Sequence, residues 1–281
     1  LNMSIQKRFS KVLSNDEFKK IRKDSKQFTH VVVDLGSSYY AIGLQTPDDQ
    51  APTTRDIGFN TIDLQKVPSV ALVNMQHSEI NPNVNIEMVK FYPETEKIKG
   101  EKSQNWAFFH DFKNKLFQCD THTIDKENLL SPIVHSSNNK SATICVSVLF
   151  KAFFYQLIRN LATKEIGATP DGIVITLLIP SFNERAKYFK KFIKKCFEQT
   201  VRKFKNQVTP GIKDNKDKVQ YYIRFEDEAQ AAIKYIKQYL QKPRQEFVDL
   251  NKVQNFERYN ILNCGGSTVE SIKITQIDHR L

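Results

Sequence analysis

Apolar residues in this chain gather in short runs of two kinds, and the kinds predict different elements. Residues 28–33 are mostly aromatic or β-branched and run straight into Asp34. Residues 39–45 form a second such run. Two runs of that length and type read as strands, with Gly36-Ser37-Ser38 at the turn between them. TPDDQAPTTRD then reads as a loop, and residues 67–73, VPSVALV, as another short strand. Residues 77–105 carry little periodicity and are expected to be an irregular insertion.

The period changes at Val146. From there Val146, Leu149, Phe150, Phe153, Phe154, Leu157 and Leu161 recur at helical spacing, which predicts a helix over residues 146–164. Residues 172–180, GIVITLLIP, form an unbroken apolar run that Pro180 stops. A run so short and so uniformly apolar fits a strand buried on both faces, hence a sheet covered by helices. Residues 183–206 return to helical spacing, with Ala186, Phe189, Ile193, Phe197, Val201 and Phe204 as an inner stripe. The outer face carries Lys187, Lys190, Lys191, Lys194, Lys195, Arg202 and Lys203, and a solvated helix face is expected there. VQYYIRF reads as a strand followed directly by a helix, EDEAQAAIKYIKQYL. YNILNCGGSTVESIKIT reads as strand, Gly-Gly turn, strand. No internal repeat of solenoid length is present.

Composition narrows the class. The chain has 281 residues, 40% of them hydrophobic, which suffices for a substantial core in one large domain or two lobes. The net charge of +11 admits anionic partners, but aromatic residues do not alternate with the basic ones, so nucleic acid is not favoured. Cys119, Cys145, Cys196 and Cys264 are too widely spaced for a zinc or iron–sulfur motif and fit reduced thiols. Reduced thiols suit a reducing compartment, and a cytoplasmic location is expected. The basic stretch MSIQKRFSKVLS offers an alternative as an organelle-targeting helix. No apolar run reaches the length of a membrane span.

The first and last segments are built alike: strand, small-residue turn with hydroxyls, strand. Glycine lets successive backbone N–H groups converge on one point, and with nearby hydroxyls these make an anion cradle. A carboxylate beside such a cradle would repel phosphate, so Asp34 suggests a divalent cation held through water, as magnesium is. A single hairpin of this kind is weak evidence, and an ordinary tight turn is the simpler reading.

Four segments in order are more specific. VVVDLGSSYYAIGL, GIVITLLIPSFNERAKYFKKFIKKC, EDEAQAAIKY and NCGGSTVESIKI resemble successive motifs of the heat-shock-70 and actin-type ATPase superfamily. They are the first phosphate loop, an apolar strand ending in proline before a helix, the connecting helix, and the second phosphate loop. The branch they most resemble is the divergent heat-shock-70 member twelve type, whose second loop carries cysteine before the glycines, as Cys264 does here. The likeness runs from about residue 28 to the end, and residues 46–145 match poorly.

The resemblance implies an α/β fold of the actin-like, ribonuclease-H-like kind, a mixed sheet flanked by helices. It covers a first lobe and the start of a second. The implied organisation is a basic extension over 1–26, a first lobe over 27–241, a linker over 242–258 and the opening of the second lobe over 259–281. It implies ATP or ADP with magnesium as ligands. Gly36, Ser37, Ser38 and Tyr39 would lie at the first phosphate site, and Gly265, Gly266, Ser267 and Thr268 at the second. Asp34 would hold magnesium through water. Lys113 would approach the γ-phosphate, with Lys115 as a rival, and Glu226 would be the acid opening the connecting helix, with Asp227 as its rival. A surface lysine and ordinary helix-capping acids are the plainer readings of these residues.

Asn263 departs from the family pattern, which has aspartate there. Asparagine brings no charge to the metal and is no base at neutral pH, so slow or absent hydrolysis is expected. The motif that grips adenosine lies further on in the family, so the chain is expected to be the front of a longer protein or a chain that has lost half of the site. Two functions follow: a divergent nucleotide-binding ATPase domain, or a non-catalytic relative serving as a structural subunit among protein partners.

Overall fold

The computed structural model describes residues 10–14, 16–19, 28–36, 39–45, 67–74, 86, 89–91, 106–110, 130–134, 141–163, 172–180, 183–206, 219–231, 258–264 and 269–275. The expected α/β architecture is observed: a mixed sheet flanked by helices. Six strands make the main sheet: β1 (Ser10–Val12), β2 (Phe28–Leu35), β3 (Tyr39–Gln45), β4 (Val67–Pro68), β10 (Gly172–Ile179) and β11 (Gln220–Asp227). Their order is β1-β11-β10-β2-β3-β4. The hairpin β2–β3 is antiparallel, whereas β10 is parallel to both β2 and β11.

One face of this sheet carries the core. Val31, Val33 and Leu35 alternate inward along β2 and are fully buried, while His30, Val32 and Asp34 point to the opposite face. Tyr40, Ile42 and Leu44 continue the buried face across β3, and Ile173, Ile175, Leu177, Tyr221 and Ile223 across β10 and β11. β10 is buried along nearly its whole length on both faces, as its unbroken apolar sequence requires.

Two helices cover that core face: α1 (Val146–Thr163) and α2 (Asn183–Asn206). They run parallel, because their contacts climb together. The Cys196 thiol donates to the Ser147 carbonyl at 3.9 Å, and the Thr200 hydroxyl donates to the Lys151 carbonyl at 3.3 Å. Phe154 meets Phe197 edge-on at 5.4 Å, and Tyr155 meets Phe204 at 6.2 Å. All seven residues of the α1 stripe are buried, and so are Val148, Ala152, Tyr155 and Ile158 beyond it. A helix buried nearly all round has neighbours on more than one side. The outer face of α2 is exposed at Lys187, Lys190, Lys191, Lys194, Lys195 and Arg202, the expected solvated face. Lys203, also expected there, is half-buried with its ammonium 5.9 Å from the Tyr155 ring centre, and Lys205 goes further. It is buried, its ammonium donates to the Val219 carbonyl at 2.9 Å, and it lies 5.6 Å from the Tyr221 ring centre.

Further pieces fill the stretch that reads as irregular in the sequence. β5 (Val70–Asn74) pairs antiparallel with β6 (Val89–Phe91) and β7 (Trp106–His110). The run expected as one strand over 67–73 therefore breaks at buried Ser69, with β4 in the main sheet and β5 in the second. Residues 77–105 are corrected in part, since β6 lies inside them. Phe91 is fully buried and meets Phe153 of α1 at 5.8 Å. β8 (Leu130–Val134) and β9 (Ser141–Cys145) form a separate hairpin, and β9 runs directly into α1. β12 (Arg258–Cys264) and β13 (Val269–Thr275) form the closing hairpin, as expected.

The polar extension expected over 1–26 is ordered at residues 10–14 and 16–19. β1 adds to the sheet edge parallel to β11, and the Leu13 N–H donates to the Ile223 carbonyl at 3.0 Å. Ser14 then caps one helical turn at 16–19. Its hydroxyl accepts from the Glu17 N–H at 3.3 Å, and the Glu17 carboxylate accepts from the Ser14 N–H at 2.9 Å. This is a capping box, with Leu13 and Phe18 at the flanking staple positions.

Candidate functional site

The candidate site is the carboxyl end of the parallel strands, where open α/β sheets usually take their ligands. Asp34 pairs in register with Leu178 of β10, and Leu178 pairs on its other side with Glu226 of β11. Residues in one row share a face, and strands lie about 4.8 Å apart, so the Asp34 and Glu226 backbones stand roughly 10 Å apart with Leu178 between them. The row lies on the face opposite α1 and α2. Asp34 is exposed, Leu178 is half-buried and the Glu226 side chain is largely buried.

The turn beside Asp34 is tight. Leu35 pairs with Tyr40, which brings Gly36 and Tyr39 close together at the end of the hairpin. A Cβ added to Gly36 would lie 2.4 Å from the Tyr39 carbonyl oxygen, closer than real atoms come. Only glycine leaves the backbone room to close there. Tyr39, at 53% exposure, stands open beside the turn. The closing hairpin has the same span: Cys264 pairs with Val269, leaving 265–268 between them. Asn263 sits in register with Glu270.

The two rival acids have separate positions. The sequence reading starts the connecting helix at Glu226, but β11 continues through Asp227 and helical backbone begins at residue 228. Asp227 accepts from the Gln230 N–H at 2.9 Å, which is the bond of a helix N-cap. Glu226 stays on the sheet face, where its carboxylate pairs with Arg224. Both side chains are largely buried, at 13% exposure for Arg224 and 14% for Glu226. The Arg224 guanidinium lies 4.2 Å from the Phe18 ring centre, and Phe18 also meets His30 edge-on at 5.9 Å. Phe18 thus spans the second face of the sheet from β2 to β11.

Sequence reasoning passed over Arg224 and Phe18 as parts of the site. Two signals for them are present in the chain: the Ser14-x-x-Glu17 box, and the two-residue spacing that puts Arg224 and Glu226 on one strand face. Lys113, Lys115, Ser37, Ser38, Gly265, Gly266, Ser267 and Thr268 lie outside the described residues. Asp34 is an exposed carboxylate, and the neighbouring Gly36 backbone is too close for any side chain. Among the described residues no cluster of three His, Cys, Asp or Glu side chains could hold a metal directly. Cys145 and Cys196 are buried thiols outside any disulfide.

No protein-family model matches the chain, and no curated protein matches it. Among the described residues no helix is long and apolar enough to cross a membrane.

Proposed function

We propose that this chain carries the phosphate-binding part of a divergent nucleotide-binding domain of the heat-shock-70 and actin type. It would bind ATP or ADP with magnesium, with hydrolysis impaired by Asn263. The observation that carries the reading is the Asp34–Leu178–Glu226 row at the carboxyl end of the parallel strands, beside the Gly36 turn. The mixed sheet supports it as well: an antiparallel hairpin comes first, and parallel strands follow on the other side of β2. Asp34 would act through metal-bound water, and the turn at 36–39 would offer backbone N–H groups to phosphate. Magnesium would supply charge neutralisation between carboxylate and phosphate. Lys113, Ser37, Ser38, Tyr39 and the 265–268 turn would complete the contacts. The test is titration of the full-length native protein with ATP, with and without magnesium. Magnesium-dependent binding is expected, and no binding in either condition sinks the reading.

One observation favours a second reading, a non-catalytic subunit of a protein assembly. Glu226, the acid the resemblance assigns to chemistry, is engaged with Arg224 in a largely buried pair that a purely structural element would also use. This reading predicts co-purification in a stable complex without turnover. ATP hydrolysis that disappears with Lys113→Ala excludes it.

A further inference from the structure

We propose that Arg224 is a positioning residue for the Glu226 carboxylate, and that the docked segment 10–19 regulates it by holding Arg224 in place. This rests on the nucleotide-site reading above and adds its regulation.

The connection is continuous. β1 lies on the edge of the sheet against β11 through three residue pairs, Ser10 with Tyr221, Lys11 with Tyr222 and Val12 with Ile223. So short an edge strand is a weak attachment that can open without unfolding the core. The Ser14–Glu17 capping box turns the chain sharply after buried Leu13 and delivers Phe18 over the second face. There the ring covers the Arg224 guanidinium at 4.2 Å. An aromatic ring against one flat side of a guanidinium attracts it and excludes water. In that drier setting the attraction between Arg224 and Glu226 is stronger than it would be in water. Glu226 shares its row with Asp34, so the state of this carboxylate sets the charge facing any cation at the strand ends. With the strap seated, the guanidinium competes with a cation for Glu226. With the strap lifted, Arg224 rehydrates and Glu226 can turn to a metal-bound water.

The test uses the full chain in four forms: native, Phe18→Ala, Phe18→Tyr and the double variant Phe18→Ala with Glu226→Gln. One readout needs no nucleotide: the NMR line width and solvent exchange of the Arg224 Nε–H. Exchange is expected to speed up severalfold in Phe18→Ala and to stay native in Phe18→Tyr, which keeps the ring. The second readout is ATP titration with magnesium. Affinity is expected to rise severalfold in Phe18→Ala, to stay native in Phe18→Tyr, and to show no rise in the double variant. Unchanged Arg224 exchange in folded Phe18→Ala overturns the proposal, as does a rise in affinity that survives Glu226→Gln. Faster Arg224 exchange with no ATP binding in any form supports the hold on Arg224 and rejects the nucleotide reading instead. If Phe18→Ala does not fold, Phe18→Leu keeps the apolar bulk without the ring and reads the same two quantities.

Discussion

Asp34 and Glu226 stand in one row of the main sheet, each paired from opposite sides with Leu178. They come from strands far apart in the chain, and β10 brings them to one face. The two carboxyls differ in setting. Asp34 is exposed beside a glycine turn, whereas Glu226 is largely buried and paired with Arg224.

That difference separates their substitution effects. Asp34→Asn removes an exposed charge, so stability should change by no more than about 0.5 kcal/mol. If Asp34 acts through magnesium, ATP affinity with magnesium should fall about tenfold, which corresponds to about 1.4 kcal/mol. Calorimetric titration with and without magnesium reads this directly, and an equal fall in both conditions argues against a metal role.

Gly36→Ala tests the turn itself. The added methyl would sit 2.4 Å from a backbone oxygen that has no flexible side chain to yield. Relief requires the hairpin to open, at a cost of about 1–3 kcal/mol. A lower urea midpoint with an unchanged slope is expected, and a variant as stable as the native chain would mean the turn is looser than described.

The helix layer should be much more sensitive. Phe150 is fully buried and meets Phe189 and Phe192 edge-on, each at 6.1 Å. Phe150→Ala leaves a cavity between both helices and should cost about 3–5 kcal/mol. Equilibrium denaturation measures the loss, and a cost below about 1 kcal/mol would contradict the packing.

Alkaline pH should weaken the fold in a defined window. Burial pushes the phenols of Tyr40 and Tyr221 well above their ordinary value of 10.0. Burial also raises the Cys145 thiol above 9.0, partly opposed by the charge of Lys151. These groups keep their protons in the fold after the unfolded chain has begun to lose them. Their contribution is therefore full below the unfolded values and declines as pH rises through about 9 and then about 10. Urea midpoints should fall across that range, and Tyr40→Phe should lessen the fall. A midpoint constant to pH 11 or so contradicts the burial of these groups.

What was legible in the sequence follows from local periodicity. The stripes of α1 and α2 repeat every three or four residues and need no distant partner to be recognised. The unbroken run of β10 announces a strand buried on both faces, and the glycine turns mark both hairpins. Asp34 and Gly36 stand out for the same reason, as an acid and a tight turn closing an apolar run.

The tertiary structure decided what depends on pairing between distant segments. Residues 67–73 look like one strand, but the two neighbouring sheets draw β4 and β5 apart at Ser69. Residues 10–19 look polar and loose, yet β11 offers an open edge that β1 occupies, and Phe18 finds a surface only once β2, β10 and β11 lie side by side. Glu226 and Asp227 are equivalent in a helix-start pattern. The register of β11 against β10 carries the strand past Glu226, leaving that carboxylate to Arg224 and the cap to Asp227. Sequence by itself determined the two long helices, β10 and the two hairpins with glycine turns, because period and turn chemistry act within a few residues. Only the folded sheet decided which of them meet, because register is selected by burying one whole face at once.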